Sequence, residues 1–259
     1  MEDNPTAAET AAPMTFFQRL IGIYFEPAKT FADISRKRSW LLMFLLVCIV
    51  TIGVSYTLQW RMDPVDAARK GFAMSEPFMK KVMGAEQLAM VREQAEKQAL
   101  QPRTVWAKYA PIVTVPVGIL VAYLVLAAIF LLAYMLTGAG ISYKQSFTTT
   151  IWGTGPPSIV VTLLSLIFIF VKNPLDLEIS PVYNVVSNLG PLVDAKVHPV
   201  LNSLLSSADL FSIWTVLLLS LGFAAMSGKK LTAGQAAVPI VILWVLWILL
   251  KMGFWALVG

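Results

Sequence analysis

Long stretches without a charged residue dominate the chain, and shorter polar connections separate them. These stretches cover residues 39–60, 109–143, 145–171, 210–228 and 231–250. A helix needs about 20 residues to cross a hydrocarbon core of about 30 Å, and peptide groups in lipid must bond within their own segment. We therefore predict an all-α polytopic membrane protein with five transmembrane helices, near residues 40–58, 113–136, 150–171, 210–227 and 236–257.

The composition argues against the alternative that these segments are buried helices of a soluble protein. Of the 259 residues, 57% are hydrophobic and 14% are charged, whereas soluble domains have about 45–50% apolar and about 25% charged residues. Too little polar sequence remains to cover five apolar helices in water. The formal net charge of +5 then indicates orientation and lipid contact rather than nucleic-acid binding.

Two extramembrane inserts separate the predicted spans. Residues 61–108 are rich in charges, and within them residues 84–100 have the pattern of a helix, with apolar Leu88, Val91, Ala95 and Ala99 at helical spacing. Residues 172–209 form a proline-containing loop with few charges. Residues 1–15 are predicted to be a disordered tail, so that residues 16–259 make up one five-span membrane domain.

The segment 16–36 is amphipathic. Its apolar residues are Phe16, Phe17, Leu20, Ile21, Tyr24, Phe25, Phe31 and Ile34, and Arg19, Lys29, Arg36, Lys37 and Arg38 supply the polar side. Such a segment lies either in the headgroup region, with its cations on anionic lipid, or against the protein's own spans. Both alternatives fit the pattern.

Basic residues predict the orientation. Arg36, Lys37 and Arg38 directly precede the first predicted span, and the positive-inside rule then places the amino terminus in the cytoplasm. Five spans put the carboxyl terminus outside, so that both inserts also face out.

Two tight turns share a pattern. Residues 138–145 and 228–235 both begin with glycine and end with Ser/Thr-x-x-Gln. The first glycine of each is predicted to end the incoming helix in a left-handed conformation, and the Ser/Thr and Gln to form a capping box on the next helix. The match indicates either a helical-hairpin repeat or a coincidence of common caps.

Residues 152–158 interrupt the apolar pattern of the third predicted span with Gly153, Gly155, Pro156 and Pro157. Because proline removes a helical hydrogen bond, the pattern predicts a broken or kinked helix. A break at the midplane is typical of substrate sites in some transporters. A simple kink, or an interfacial helix over 142–152 that turns into a span over 156–171, is the structural alternative.

No pattern of side chains indicates catalysis, a cofactor or a metal site. Cys48 and His198 are the only cysteine and histidine, which excludes an intramolecular disulfide and a His/Cys metal site within a monomer. Asp194 and His198 would share a helix face, but no nucleophile accompanies them, which favours an ion pair or surface contact.

Several short motifs, taken in order, resemble the YIP family (Ypt/Rab-interacting membrane proteins) in its short bacterial form. They are Tyr24-Phe25-Glu26-Pro27-Ala28-Lys29-Thr30-Phe31, Ser142-Tyr143-Lys144-Gln145, Pro156-Pro157 and Ala208-Asp209-Leu210-Phe211-Ser212-Ile213-Trp214. The resemblance covers about residues 16–257. It implies a five-span helical membrane protein with a cytoplasmic amino terminus, in which Glu26, Pro27, Asp209 and Trp214 are motif positions.

The resemblance also implies a role in protein binding. Eukaryotic relatives bind Rab-type GTPases and act in vesicle traffic, but this sequence lacks their long amino-terminal region with its Asp-Leu-Tyr-Gly-Pro motif. We therefore expect no Rab-type GTPase as a partner.

Together these observations predict a non-enzymatic scaffold or adaptor of the cell (inner) membrane, which binds partner membrane proteins through its helices and the 61–108 insert. The alternative is a small-molecule or lipid permease that works at residues 153–157. Small residues on the spans, namely Gly118, Ala122, Gly222 and Ala225, favour helix–helix association within or between subunits.

Overall fold

Ten α-helices form the part of the chain that the computed structural model describes, residues 12–101, 105–180, 185, 187–194, 197–228 and 230–258. These ranges contain no β-strand, so the predicted all-α class is confirmed. The helices are α1 (Phe16–Phe25), α2 (Pro27–Arg36), α3 (Leu41–Arg61), α4 (Pro64–Val82), α5 (Ala85–Leu100), α6 (Val105–Met135), α7 (Tyr143–Val171), α8 (Pro199–Leu205), α9 (Leu210–Met226) and α10 (Ala233–Val258).

Four helices are long and apolar enough to cross a membrane: α3, α6 from Lys108, α7, and α10 as far as Ala256. They coincide with four of the five predicted spans. The remaining one, predicted near residues 210–227, is the apolar helix α9, which has 17 residues. At about 1.5 Å per residue it measures about 25 Å, less than a hydrocarbon core of about 30 Å. By length and composition there are thus four candidate spans and one shorter apolar helix among the described residues.

The first half of α7 is the most buried segment of the molecule's apolar helices, and it packs against α3, α6 and α9. A Cβ on Gly153 would lie 2.5 Å from Cδ2 of Leu219 on α9, and a Cβ on Gly155 would lie 3.1 Å from Cε of Met43 on α3. On α9 itself, a Cβ on Gly222 would lie 2.6 Å from Cγ2 of Thr149. Because these glycines have no side chain, α7 lies closer to its neighbours than larger residues would permit.

The outer faces of α6 and α10 are apolar and exposed. The exposed residues include Val113, Val117, Val121, Val125, Val238, Ile242, Leu249 and Leu250. Water-soluble monomers rarely expose a contiguous apolar surface of this kind. These faces are therefore suited to contact with lipid.

The helices α4 and α5 form a hairpin that connects α3 to α6. The helix predicted over residues 84–100 is confirmed as α5, and its four predicted apolar positions are half-buried. The sequence pattern did not reveal α4, in which charges and Pro77 obscure the helical period. At the base of the hairpin, the ammonium of Lys70 donates to the carbonyls of Leu175 and Leu177 at 2.6 and 2.7 Å.

Both tight turns have the predicted caps. Their first glycines adopt φ values of 69° and 62°, the left-handed conformation that ends a helix. Ser142 and Gln145 form a capping box at the start of α7. Thr232 and Gln235 exchange the same pair of hydrogen bonds before α10, at 2.9 and 3.3 Å. The caps are confirmed, whereas the larger helical-hairpin repeat stays a prediction.

Candidate functional site

The amphipathic amino-terminal segment folds into two helices that turn at Glu26 and Pro27. A capping box at Thr15 begins α1, and Pro27 occupies the first position of α2, where its missing N–H costs no helical hydrogen bond. The exposed carboxylate of Glu26 pairs with Lys29 at 2.8 Å. These two motif positions thus form the turn of what we call the α1–α2 hairpin.

The sequence pattern places Arg19 on the polar side of this segment, which is wrong. Its side chain is 2% exposed, and Nη2 lies 2.6 Å from Oδ2 of Asp33 on α2. The guanidinium also donates to the carbonyl of Lys37 at 3.0 Å and to the hydroxyl of Ser39. The other carboxylate oxygen of Asp33 accepts from the backbone amide of Met14 at 3.1 Å. The buried pair therefore joins α1, α2 and the connection to α3.

These contacts also bear on the predicted disordered tail. Residues 1–11 of it lie outside the described residues. The last two residues of the predicted tail, Met14 and Thr15, bond to Asp33 and to the first turn of α1.

The α1–α2 hairpin packs on the protein's own helices. Phe31 of α2 is fully buried, and α2 lies mainly against α9. The ring of Phe16 lies 6.1 Å from that of Trp152 on α7, and the indole N–H of Trp152 donates to the carbonyl of Ser39 at 2.7 Å. The inner face of the amphipathic segment therefore contacts the protein's own helices, whereas its position in the headgroup region stays a prediction.

Three motif segments meet at Tyr24. Its hydroxyl donates to the carbonyl of Pro156 at 3.4 Å, and its ring centroid lies 5.7 Å from that of Trp214. Burial raises the pKa of the Tyr24 phenol, so the hydroxyl stays protonated and able to donate at neutral pH. We call Tyr24, Pro156 and Trp214 the Tyr24 junction. It brings together the Glu-Pro turn, the double proline and the start of α9.

The helix α7 continues through Pro156 and Pro157 without a break. Of the predicted break or kink, a complete break therefore does not occur, and residues 143–152 are the first turns of the same helix rather than a separate interfacial one. In this stretch the hydroxyls of Thr154 and Ser158 donate to backbone carbonyls one turn earlier, at 2.7 and 2.8 Å. The predicted functional role of residues 153–157 stays a prediction.

Asp209 caps α9. Its carboxylate accepts from the backbone amides of Phe211 and Ser212 at 2.9 and 3.0 Å, and from the hydroxyl of Ser187 at 2.9 Å. An acidic cap also meets the positive end of the helix dipole. Asp209 thereby fixes the start of the helix that carries Trp214 and fastens the preceding loop to it.

Two further contacts lie in the loop that precedes α9. The backbone amide of His198 donates to the carbonyl of Asp194 at 2.9 Å, just before α8. The ammonium of Lys251, near the end of α10, donates to the hydroxyl of Ser207 at 2.6 Å. Within the described part of the chain, no group of three or more His, Cys, Asp and Glu residues is placed to hold a metal ion.

Sequence reasoning missed Asp33, the partner of Arg19. One signal was available: Asp33 stands between Phe31 and Ile34, next to an apolar face of α2. A carboxylate at such a position indicates a buried partner.

Comparison with protein families assigns most of this chain to one of them. The model of the Yip1 domain matches residues 21–252. This range includes all three residues of the Tyr24 junction and the α4–α5 hairpin. No curated protein and no solved structure matches the chain.

Proposed function

The chain belongs to the Yip1 domain family, and on that premise we propose that it is a non-enzymatic, multi-pass scaffold or adaptor that binds other membrane proteins. The family and the four candidate spans support residence in a membrane. We further propose the cell (inner) membrane as its location. The partner-binding part is the α4–α5 hairpin.

In this proposal α9 is a fifth membrane-crossing helix. It runs antiparallel to α7: the amide of Gln145 donates to the carbonyl of Met226 at 3.1 Å, and Gly153 lies against Leu219. The helices α2, α7 and α10 all pack on α9, so neighbouring protein covers much of it and compensates for its short length. With Arg36, Lys37 and Arg38 before α3, the amino terminus is then cytoplasmic and the carboxyl terminus outside.

The observation that carries the adaptor function is an exposed apolar stripe on α4. Met74, Phe78 and Val82 are spaced four residues apart and are 56%, 59% and 68% exposed. We call them the α4 stripe. An amphipathic helix that presents large apolar side chains on an extramembrane element is typical of a protein–protein contact.

The second helix of the hairpin supports the same conclusion. In α5 no residue is buried, and ion pairs such as Arg69 with Glu96, 3.0 Å apart, join the two helices. A hairpin of two helices buries only the narrow strip of side chains that lies between them. A partner that covers the α4 stripe would add the apolar contact that the hairpin lacks.

Site-specific photo-crosslinking in native membranes tests this function. A benzophenone amino acid in place of Phe78 should yield a discrete crosslinked product, whereas the same group in place of the exposed Gln94 on α5 should not. Phe78→Asp should remove the partner from a mild-detergent pull-down, as should deletion of residues 64–101. Normal membrane levels with no product at Met74, Phe78 or Val82 would refute the adaptor function of this hairpin.

The permease alternative loses the feature that motivated it. It required a broken helix at residues 153–157, and α7 is continuous there. The space beside Gly153 and Gly155 is occupied by Leu219 and Met43. These residues therefore support close packing of helices better than they support a substrate path.

A further inference from the structure

The α1–α2 hairpin has an apolar outer edge on α1. Phe17, Ile21 and Phe25 are spaced four residues apart and are 72%, 61% and 81% exposed. We call them the α1 stripe. They point away from the face of α1 that carries Ile23 and Arg19, which is buried in the protein.

The outer edge of α2 has the opposite character. Its exposed residues are Ala28, Lys29, Ala32 and Arg36, and no large apolar side chain is exposed there. The buried pair of Arg19 and Asp33 holds the two helices in a fixed relation. The hairpin therefore presents one apolar edge and one polar edge, and neither can rotate independently of the other.

The apolar edge is continuous in sequence with the membrane-crossing surface. After α2 the chain passes through Lys37 and Arg38 and enters α3, where Leu41 and Leu42 are 52% and 54% exposed. Cations that stand between an apolar edge and the start of a span lie where lipid headgroups are.

We propose that the α1–α2 hairpin lies half-immersed in the leaflet at which α3 begins. The α1 stripe contacts acyl chains, the outer edge of α2 faces water, and Lys37 and Arg38 bind anionic lipid headgroups. The partner is thus a bilayer surface with negative charge, chosen because both the apolar edge and the adjacent cations match its chemistry. This inference does not depend on the proposed adaptor function.

Fluorescence quenching on the full-length protein in nanodiscs tests the immersion. Cys48, the only cysteine, is buried, so a Cys48→Ala background allows single labels at Phe17→Cys, Ile21→Cys and Phe25→Cys. Ala32→Cys, exposed on α2, is the matched control. In bilayers with phosphatidylglycerol, the ratio of quenching by nitroxide lipid to quenching by iodide should be at least about threefold higher on α1 than at Ala32→Cys.

A charge variant tests the headgroup contact. In the parent protein, phosphatidylglycerol should raise the quenching ratio at Ile21→Cys. Lys37→Gln and Arg38→Gln together, which keep the ion pair of Arg36 with Asp33, should make that ratio insensitive to the phosphatidylglycerol content. An unchanged elution profile in detergent establishes that the variant is folded. Equal iodide access at all four positions would overturn the proposal, as would protection of the α1 stripe from both quenchers, which would show that protein covers it.

Discussion

Gly153 and Gly222 show how single residues determine the approach of helices in this protein. Each lies where a Cβ would come within 2.5 to 2.8 Å of a packed side chain on a neighbouring helix. Gly118, in contrast, has no atom within 4 Å of its Cβ position. The three glycines look alike in the sequence, and only the fold distinguishes those that are needed for packing.

This difference predicts the effect of one methyl group. Gly153→Ala should destabilise the protein by about 1–3 kcal/mol, because Leu219 and its helix must move. Gly118→Ala should leave the stability unchanged or raise it, since alanine favours helix over glycine by about 0.5–1 kcal/mol. Unfolding in a titration with sodium dodecyl sulfate measures both. Equal effects of the two substitutions would contradict the close packing of α7 on α9.

The pair of Arg19 and Asp33 predicts that replacing one partner destabilises the protein more than replacing both. Arg19→Met leaves the buried carboxylate of Asp33 with only the partly exposed Arg36, 3.3 Å away, as a cationic partner, and should cost up to about 3–5 kcal/mol. The double variant Arg19→Met/Asp33→Leu should cost less than the single one, because it leaves no buried charge. Lys29→Ala, which removes an exposed ion pair in the same hairpin, is the control and should change the stability by less than about 1 kcal/mol. A double variant less stable than Arg19→Met would contradict the burial of the pair.

At the scale of elements, ion pairs join the two helices of the α4–α5 hairpin beside a narrow apolar seam. The hydrogen bond from Arg69 holds the pKa of the Glu96 carboxyl below its usual value. A carboxyl with a depressed folded pKa adds stability above its unfolded pKa, about 4.3, and loses it as the pH falls through the folded value. The hairpin should therefore loosen in acid.

Pulsed electron paramagnetic resonance can measure this loosening. Spin labels at Ala73→Cys and Gln98→Cys, both exposed, should give a narrow distance distribution at neutral pH that broadens below about pH 4. With Glu96→Gln the distribution should be broad already at neutral pH and change little in acid. The same acid response in both proteins would assign the effect to other carboxyls.

Features that depend on residues close together in the sequence could be predicted, and features that depend on contacts between distant parts of the chain could not. The apolar helices follow from charge-free stretches, and the capping boxes before α7 and α10 follow from four consecutive residues each. The burial of Arg19 depends on a carboxylate in the next helix. The Tyr24 junction depends on a contact across 132 residues of chain, which no local pattern encodes.

The prolines of α7 illustrate the same limit. Local reasoning predicts a break or a kink, because each proline removes a hydrogen bond, and α7 does not break. In the fold α3, α6 and α9 surround this part of α7, and hydroxyls of Thr154 and Ser158 bond to carbonyls of the same helix. Tertiary packing thus outweighs the local signal.

At the scale of the whole molecule, the number of membrane crossings determines which parts share a compartment. If α9 crosses with α3, α6, α7 and α10, the α4–α5 hairpin and the turn before α10 lie on opposite sides. Single cysteines at Ala85 and Lys230 in the Cys48→Ala background should then react with an impermeant maleimide from opposite faces of sealed vesicles. Labelling of both positions from the same side would contradict the proposed topology.

The long-range tethers of the amino-terminal hairpin have a consequence for biosynthesis. Tyr24 leaves the ribosome 132 residues before its hydrogen-bond partner Pro156, a delay of about 7–26 s at about 5–20 residues per second. During that interval the α7 and α9 surfaces on which the hairpin packs have not been synthesised, although its apolar side chains already have. Lipid or a chaperone must therefore cover the apolar side chains of this hairpin until α7 and α9 have been translated.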